Sequence, residues 1–142
     1  MGMSTVECEI PFGESTLRVA LPGEHVINEV RGQKKAPIVD VAAAVRQALR
    51  QPVGSPSLRE LVRPEEKVTI IVSDITRRWV RFDLFLPVLL DELNCYGVAD
   101  ENITLVVALG AHRPQTEEEN ELVFGREVVR RVAVYQSQAQ QA

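Results

Sequence analysis

Lys67-Val68-Thr69-Ile70-Ile71-Val72 runs directly into Ser73-Asp74-Ile75-Thr76-Arg77-Arg78. The first six residues are a continuous β-branched run, the pattern of a strand buried on both faces of a parallel sheet. A second run, Ile103-Thr104-Leu105-Val106-Val107-Ala108, follows about 35 residues later, the length of a βαβ unit with a right-handed crossover. Between them, Phe82 to Tyr96 places Phe85, Leu89 and Leu93, and also Leu86 and Leu90, at spacings of four. Asp83 lies near the start of that segment, Pro87 in its first turns and Gly97 just past its end, so it reads as a helix. Strand, helix and strand together predict an α/β fold with a Rossmann-like parallel sheet core flanked by helices.

Toward the N-terminus the period changes to two. Val6, Cys8, Ile10 and Phe12 alternate, Gly13-Glu14-Ser15 supplies a turn, and Leu17, Val19 and Leu21 alternate again, which predicts an antiparallel N-terminal β-hairpin. His25 to Val30 reads as a third short strand closed by Gly32. From Pro37 to Arg50 the spacing becomes helical, with Asp40 as cap, an apolar stripe of Val41, Ala44, Val45, Ala48 and Leu49, and Pro52 and Gly54 as terminators. A single helical turn is expected at Ser57 to Val62, stopped by Pro64. Thr116-Glu117-Glu118-Glu119 opens another helix with acidic residues where the helix dipole favours them and Gly125 at its end, and Val132 to Tyr135 is one more strand. Residues 1–135 thus read as a single α/β domain, and 136–142 as a frayed tail rich in glutamine.

The composition agrees with an ordinary soluble domain. The 142 residues are 45% hydrophobic and 25% charged, with 16 Lys and Arg against 20 Asp and Glu for a net charge of -4. That balance argues against disorder and against a duplex nucleic-acid partner, which calls for a basic surface. Apolar stretches fall short of the ~18–20 residues that cross a bilayer, and no basic-then-apolar leader opens the chain, so a cytoplasmic protein is expected. Cys8 and Cys95 are too far apart in sequence to suggest a zinc site or disulfide framework and read as small buried hydrophobes. His25 and His112 are the only imidazoles available for metal binding or acid–base work.

Chemistry in an open parallel sheet gathers beyond the carboxyl ends of its strands. Two polar segments lie there: Ser73 to Arg78 after the first buried run, and Gly110-Ala111-His112-Arg113-Pro114 after the second. If the strands are neighbours, about 4.8 Å apart, a carboxylate, a hydroxyl, guanidinium groups and an imidazole converge on one crevice. Arg77 or Arg113 can hold a carboxylate or phosphate bidentately, Thr76 can donate to a phosphate oxygen, Asp74 can accept from a hydroxyl or fix an arginine, and His112 can exchange a proton near neutral pH. The same residues also have structural readings. Asp74 with Thr76 forms a common turn motif, Arg77, Arg78 and Arg81 suit a solvated basic cluster, and Glu117 to Glu119 suits a helix start facing water. His25 reads as structural, and Trp79 and Phe82 as core or interface residues. G-x-G-x-x-G, G-x-x-x-x-G-K-[ST] and G-x-S-x-G are all absent, which leaves dinucleotide-fold, P-loop and serine-hydrolase readings without support.

At these residues the sequence resembles the N-terminal domain of the nickel-pincer-dependent lactate racemase family, over nearly the whole chain. Ile10-Pro11-Phe12-Gly13, Leu17 and Leu21-Pro22 are similar to that family's opening hairpin, Ser73 to Arg77 to its S-D-x-T-R loop, and Gly110 to Pro114 with Thr116, Glu119 and Gly125 to its G-x-H-R-P segment. Arg78 stands where the family usually has proline. The resemblance implies that Asp74, Ile75, Thr76 and Arg77 contact a nickel-pincer mononucleotide, Ni(II)-pyridinium-3,5-bisthiocarboxylate mononucleotide, or its phosphate, and that His112 is one of two catalytic histidines; Arg113, from its chemistry, is a secondary candidate for holding substrate or another anion. It implies a 2-hydroxy acid substrate such as lactate, with hydride transfer to the cofactor while a histidine takes the hydroxyl proton.

The family's proteins are much longer, and the segment carrying the cofactor-linking lysine, the nickel-ligating histidine and the second catalytic histidine has no counterpart here. The expectation is therefore an isomerase domain incomplete without a C-terminal partner domain, binding neither nickel nor cofactor by itself. A stand-alone anion- or nucleotide-binding module, or a fragment with an interaction role, is the alternative. Substrate identity and oligomeric state, a homo-oligomer included, stay open.

Overall fold

A computed structural model describes residues 4–138, beginning with the hairpin. Strands β1 (Thr5–Phe12) and β2 (Ser15–Pro22) pair antiparallel, with Ile10 opposite Leu17 and Cys8 opposite Val19. Gly13 makes the turn at φ 59°, a conformation that side-chain-bearing residues adopt only at a cost, and the Ser15 hydroxyl closes it by donating to the Phe12 carbonyl at 2.9 Å. One 3-10 turn follows at Gly23–His25, where His25 sits exposed. The strand expected at 25–30 does not form. A strand exists through its ladder, the described sheets contain no partner for this segment, and Ile27 and Val30 stand almost fully in solvent.

The chain divides into two compact units, Met1–Pro37 with the hairpin and Ile38–Ala142 with the rest. In the second unit, helix α1 (Val41–Arg50) starts as expected, the Asp40 carboxylate accepting from the Ala43 N–H at 2.8 Å. Helix α2 (Leu58–Leu61) is the single turn, fastened by the Glu60 carboxylate accepting from the Ser57 N–H at 2.8 Å and hydroxyl at 2.6 Å. Then come β3 (Val68–Ser73), a 3-10 segment (Ile75–Val80), α3 (Phe82–Cys95), β4 (Ile103–Ala108), α4 (Glu117–Phe124), α5 (Arg126–Arg131) and β5 (Ala133–Gln136). The final strand continues past Tyr135 to Gln136, and residues 139–142 lie outside the described residues. Helix α5 escaped the periodicity because Gly125, at φ 88°, ends α4 and opens the next helix without a connecting loop.

The sheet is parallel, in the order β3-β4-β5, so the strand–helix–strand reading is correct. Helices α3, α4 and α5 pack against one another over the side of the sheet from which Ile103, Leu105 and Val107 project. These three meet Leu86, Leu90 and Leu93 of α3 together with Val123, Phe124 and Val128, all essentially without solvent exposure. Each such side chain contributes about 1.5–3 kcal/mol by leaving water.

Three sequence expectations about burial are corrected. Strand β3 is an edge strand, and its Ile71, on the side away from the core residues Ile70 and Val72, is 73% exposed rather than enclosed on both faces. The β-branched run reports strand propensity, and neighbouring layers decide burial. Of the two aromatics read as core or interface, Phe82 is in the core, and Trp79, on the 3-10 segment before it, is 74% exposed and lies outside it. Cys8 is only partly buried, since two strands by themselves cannot enclose it, and Cys95 is exposed at the last turn of α3. Among the described residues, no helix is long and apolar enough to cross a membrane.

Candidate functional site

Because β3 and β4 are adjacent and parallel in register from Val68 opposite Ile103 to Ser73 opposite Ala108, their carboxyl ends lie side by side. The two polar segments therefore emerge together. Asp74 leaves β3 as the cap of the 3-10 segment: its Oδ1 accepts from the Thr76 N–H at 3.1 Å and from the Thr76 hydroxyl at 2.6 Å. Its other oxygen, Oδ2, meets Nδ1 of His112. One carboxylate oxygen of Asp74 thus makes the turn motif, and the other faces the imidazole.

Asp74 is only 4% exposed, which by itself opposes ionisation. Burial pushes its carboxyl up, but the bonds from the Thr76 hydroxyl, His112 and the Thr76 amide together outweigh that and hold the group below its ordinary value of 3.8. A carboxylate is an acceptor only, so Nδ1 of His112 carries the hydrogen of this bond, and in a neutral imidazole so held the lone pair falls on Nε2. The His112 side chain is 55% exposed, so its outward nitrogen is reachable.

Arg113 is turned elsewhere. Its guanidinium forks onto Glu119, at 2.8 Å to Oε2 and 2.7 Å to Oε1, and also donates to the Pro114 carbonyl at 2.9 Å. Glu119 in turn accepts from the Thr116 N–H at 2.9 Å while the Thr116 hydroxyl accepts from the Glu119 N–H, a capping box at the start of α4. The arginine above all, and the Thr116 amide after it, lower the Glu119 carboxyl to about 2. Glu119 is therefore a partner of the loop rather than one of three acids facing water. Arg81, at φ 62° ahead of α3, is likewise paired, donating to Asp83 at 2.9 and 2.8 Å. Arg77 and Arg78 are exposed on the 3-10 segment.

The sequence reading missed the polar network behind the dyad. Gln115 accepts from the Ile75 N–H at 2.9 Å and donates to Asn120 at 2.6 Å. Its own main-chain N–H and carbonyl are both taken by the Gln136 side chain at 2.8 Å. Ser137 donates through its N–H to the Val107 carbonyl at 2.9 Å and accepts from the Leu109 N–H at 3.0 Å. No period or motif marks these residues, and Gln136 and Ser137 sit in the stretch that composition assigns to a tail. Among the described residues no three His, Cys, Asp or Glu side chains gather closely enough to hold a metal ion.

Comparison with known proteins shows what the chain resembles. Residues 12–142 match the family described as the lactate racemase N-terminal domain. The lactate racemase of Thermoanaerobacterium thermosaccharolyticum is 33% identical over 123 residues, which is 85% of this chain and 28% of that protein. That of Lactiplantibacillus plantarum is 30% identical over 126 residues, 87% of this chain and 29% of the other. The structure of the lactate racemase apoprotein from T. thermosaccharolyticum superposes with a TM-score of 0.73 at 29% identity, covering 96% of this chain and 31% of that one. The chain thus spans under a third of the length of the relatives it matches.

Proposed function

The chain belongs to the lactate racemase N-terminal domain family, and from that premise we propose that it supplies one proton-handling face of a 2-hydroxy-acid racemase site. The observation that carries this reading is the Asp74–His112 pair, assembled at the carboxyl ends of adjacent parallel strands from the two segments that resemble the family. His112 is the general base and acid. With Nδ1–H directed at Asp74, its Nε2 takes the hydroxyl proton of the substrate and later returns it. Asp74 is the positioning carboxylate that fixes the tautomer and stabilises the imidazolium when it forms. An α-C–H beside a carboxylate is too weakly acidic for imidazole to remove as a proton, so racemisation by this route requires a hydride acceptor.

The nickel-pincer mononucleotide would supply that acceptor when bound. The residues here fit its anionic end: Arg77 presents an exposed guanidinium, whereas those of Arg81 and Arg113 are already held by Asp83 and Glu119. Arg77 would hold the phosphate bidentately, with Thr76 beside it on the same segment. Ile75 would contribute its side chain, since its amide hydrogen is bonded to Gln115. Arg113 would reach a substrate carboxylate after release from Glu119. The substrate class is a 2-hydroxy acid, lactate being the one that the relatives' names give.

A chimera tests this, with the chain replacing the matching segment of the T. thermosaccharolyticum racemase. The chimera is expected to interconvert D- and L-lactate, and His112→Ala to lower the rate by about 10²–10⁴-fold, the usual contribution of a positioned acid–base group. Undiminished turnover in the His112→Ala chimera would overturn the assignment.

A further inference from the structure

His112 presents a mechanical problem that its surroundings solve in an unexpected place. With its side chain 55% exposed, the ring is not locked by packing. Its own backbone is tied only locally, the His112 N–H donating to the Leu109 carbonyl at 3.0 Å. Yet the contact with Asp74 joins two loops that leave different strands, and a hydrogen bond tolerates only a few tenths of an ångström of drift between them. Something must register one loop against the other.

Gln115 lies three residues after His112 and is only 5% exposed. Its Oε1 accepts from the Ile75 N–H, immediately beyond Asp74, at 2.9 Å. Its Nε2 donates to Asn120 Oδ1 in α4 at 2.6 Å, which fixes the orientation of the amide and keeps the oxygen aimed at Ile75. Its main chain is held on both polar groups by Gln136 at the end of β5. One buried side chain therefore connects the turn that carries Asp74 to the loop that carries His112, and the third strand of the sheet anchors that connection.

We propose that Gln115 is a positioning residue for the acid–base pair: it sets the separation of the Asp74 and His112 loops and thereby holds His112 in the Nδ1–H tautomer. This deepens the reading of His112 as the base and rests on it. The effect is transmitted through Ile75 and the two loops, and Gln115 itself touches neither reacting group. Leaving the Ile75 amide without its acceptor costs a partly buried hydrogen bond and lets the Asp74 turn move away from the imidazole.

The test reads the ring directly, in the full 142-residue chain, by ¹⁵N chemical shifts of the neutral imidazole. Only two histidines are present, and His25→Gln assigns the signals. The wild-type chain is expected to show His112 with hydrogen on Nδ1. Gln115→Met, which keeps length and volume but removes both side-chain bonds, is expected to lose that pattern in favour of the Nε2–H tautomer of free imidazole. Gln115→Glu, which restores the acceptor for Ile75, is expected to recover it. Should Gln115→Met lack a native far-UV spectrum, Asn120→Ala, which removes only the group orienting the amide, is read for the same loss. A wild-type pattern in the folded variant overturns the role of Gln115 and leaves the functional reading standing. Absence of the Nδ1–H pattern in the wild-type chain overturns the Asp74–His112 reading and the role of Gln115 with it.

Discussion

Asp74, at the end of β3, and His112, four residues past the end of β4, share a hydrogen bond although 38 positions separate them in sequence. Parallel pairing without an intervening strand is what makes this possible, because it brings two successive strand ends to the same edge. The other oxygen of Asp74 is committed to Thr76, so the carboxylate cannot rotate toward solvent without also releasing its own cap. The imidazole consequently meets a fixed acceptor.

Replacing Asp74 by Asn separates these two duties. The asparagine oxygen can still accept from Thr76, but its amide nitrogen faces His112 as a donor and selects the tautomer with the lone pair on Nδ1, which is wrong for a base at Nε2. The variant is expected to keep its far-UV spectrum, to lose the Nδ1–H signature, and to lower lactate racemisation in the chimera by about 10²–10⁴-fold. A folded variant with unchanged turnover would remove Asp74 from the mechanism.

Acid should weaken the fold in a defined window. Glu119 is depressed from 4.5 to about 2 by Arg113 and Thr116, and Asp74 lies below 3.8. For a carboxyl group whose folded value is lowered, the stabilisation is fully present above the unfolded value and is lost as pH falls through the folded one. Thermal midpoints are therefore expected to decline from about pH 4.5 toward 2, and the decline should be shallower in Glu119→Gln. An identical slope in that variant would show that the Arg113 pair contributes nothing to the acid response.

The two faces of the sheet should respond differently to truncation. Leu105, on β4, is fully enclosed, and Leu105→Ala is expected to cost about 2–5 kcal/mol in urea unfolding. Ile71 sits on the exposed face of an edge strand, and Ile71→Thr, which keeps the β-branched shape, is expected to stay within about 0.5 kcal/mol of wild type. Comparable losses at both positions would mean that the face bearing Ile71 is covered in solution.

Arg131 gathers three elements behind the sheet. It donates to Asp91 and Asn94 of α3 at 2.8 Å each, to Asp100 at 2.9 Å, and to Glu127 at 3.2 Å, chiefly through the Asp100 bond raising its own pKa and lowering that of Asp100. Arg131→Met keeps the apolar stem and removes the fork. It is expected to cost about 1–3 kcal/mol, mainly by stranding the partly buried Asp100 carboxylate, measurable by urea titration. A loss within error would place these bonds with ordinary surface ion pairs.

Much of the architecture is legible from residue type. The Asp40 cap, the Ser57–Glu60 box and the Thr116–Glu119 box each need only neighbours three positions away, so sequence spacing suffices to find them. The βαβ unit follows from two β-branched runs flanking a helical stripe. What the sequence does not display is who lies beside whom. His25 to Val30 has strand composition but no ladder, and Ile71 has core composition but no covering layer. Gln136 and Ser137 look like tail residues, yet Gln136 is the last residue of β5 and both bond to the loop after β4.

The candidate site divides along the same line. By itself the sequence named the candidates, Asp74, Ile75, Thr76, Arg77, His112 and Arg113, and the edge of the sheet at which they emerge, because strand ends and polar segments are local features. Only the tertiary structure decided the pairings: Asp74 with His112, Arg113 with Glu119, and Gln115 between the two loops. The reason is physical. A hydrogen bond between residues 38 or 40 positions apart depends on the registration of strands to within a few tenths of an ångström, and that registration is a property of the whole packed sheet rather than of any segment in it.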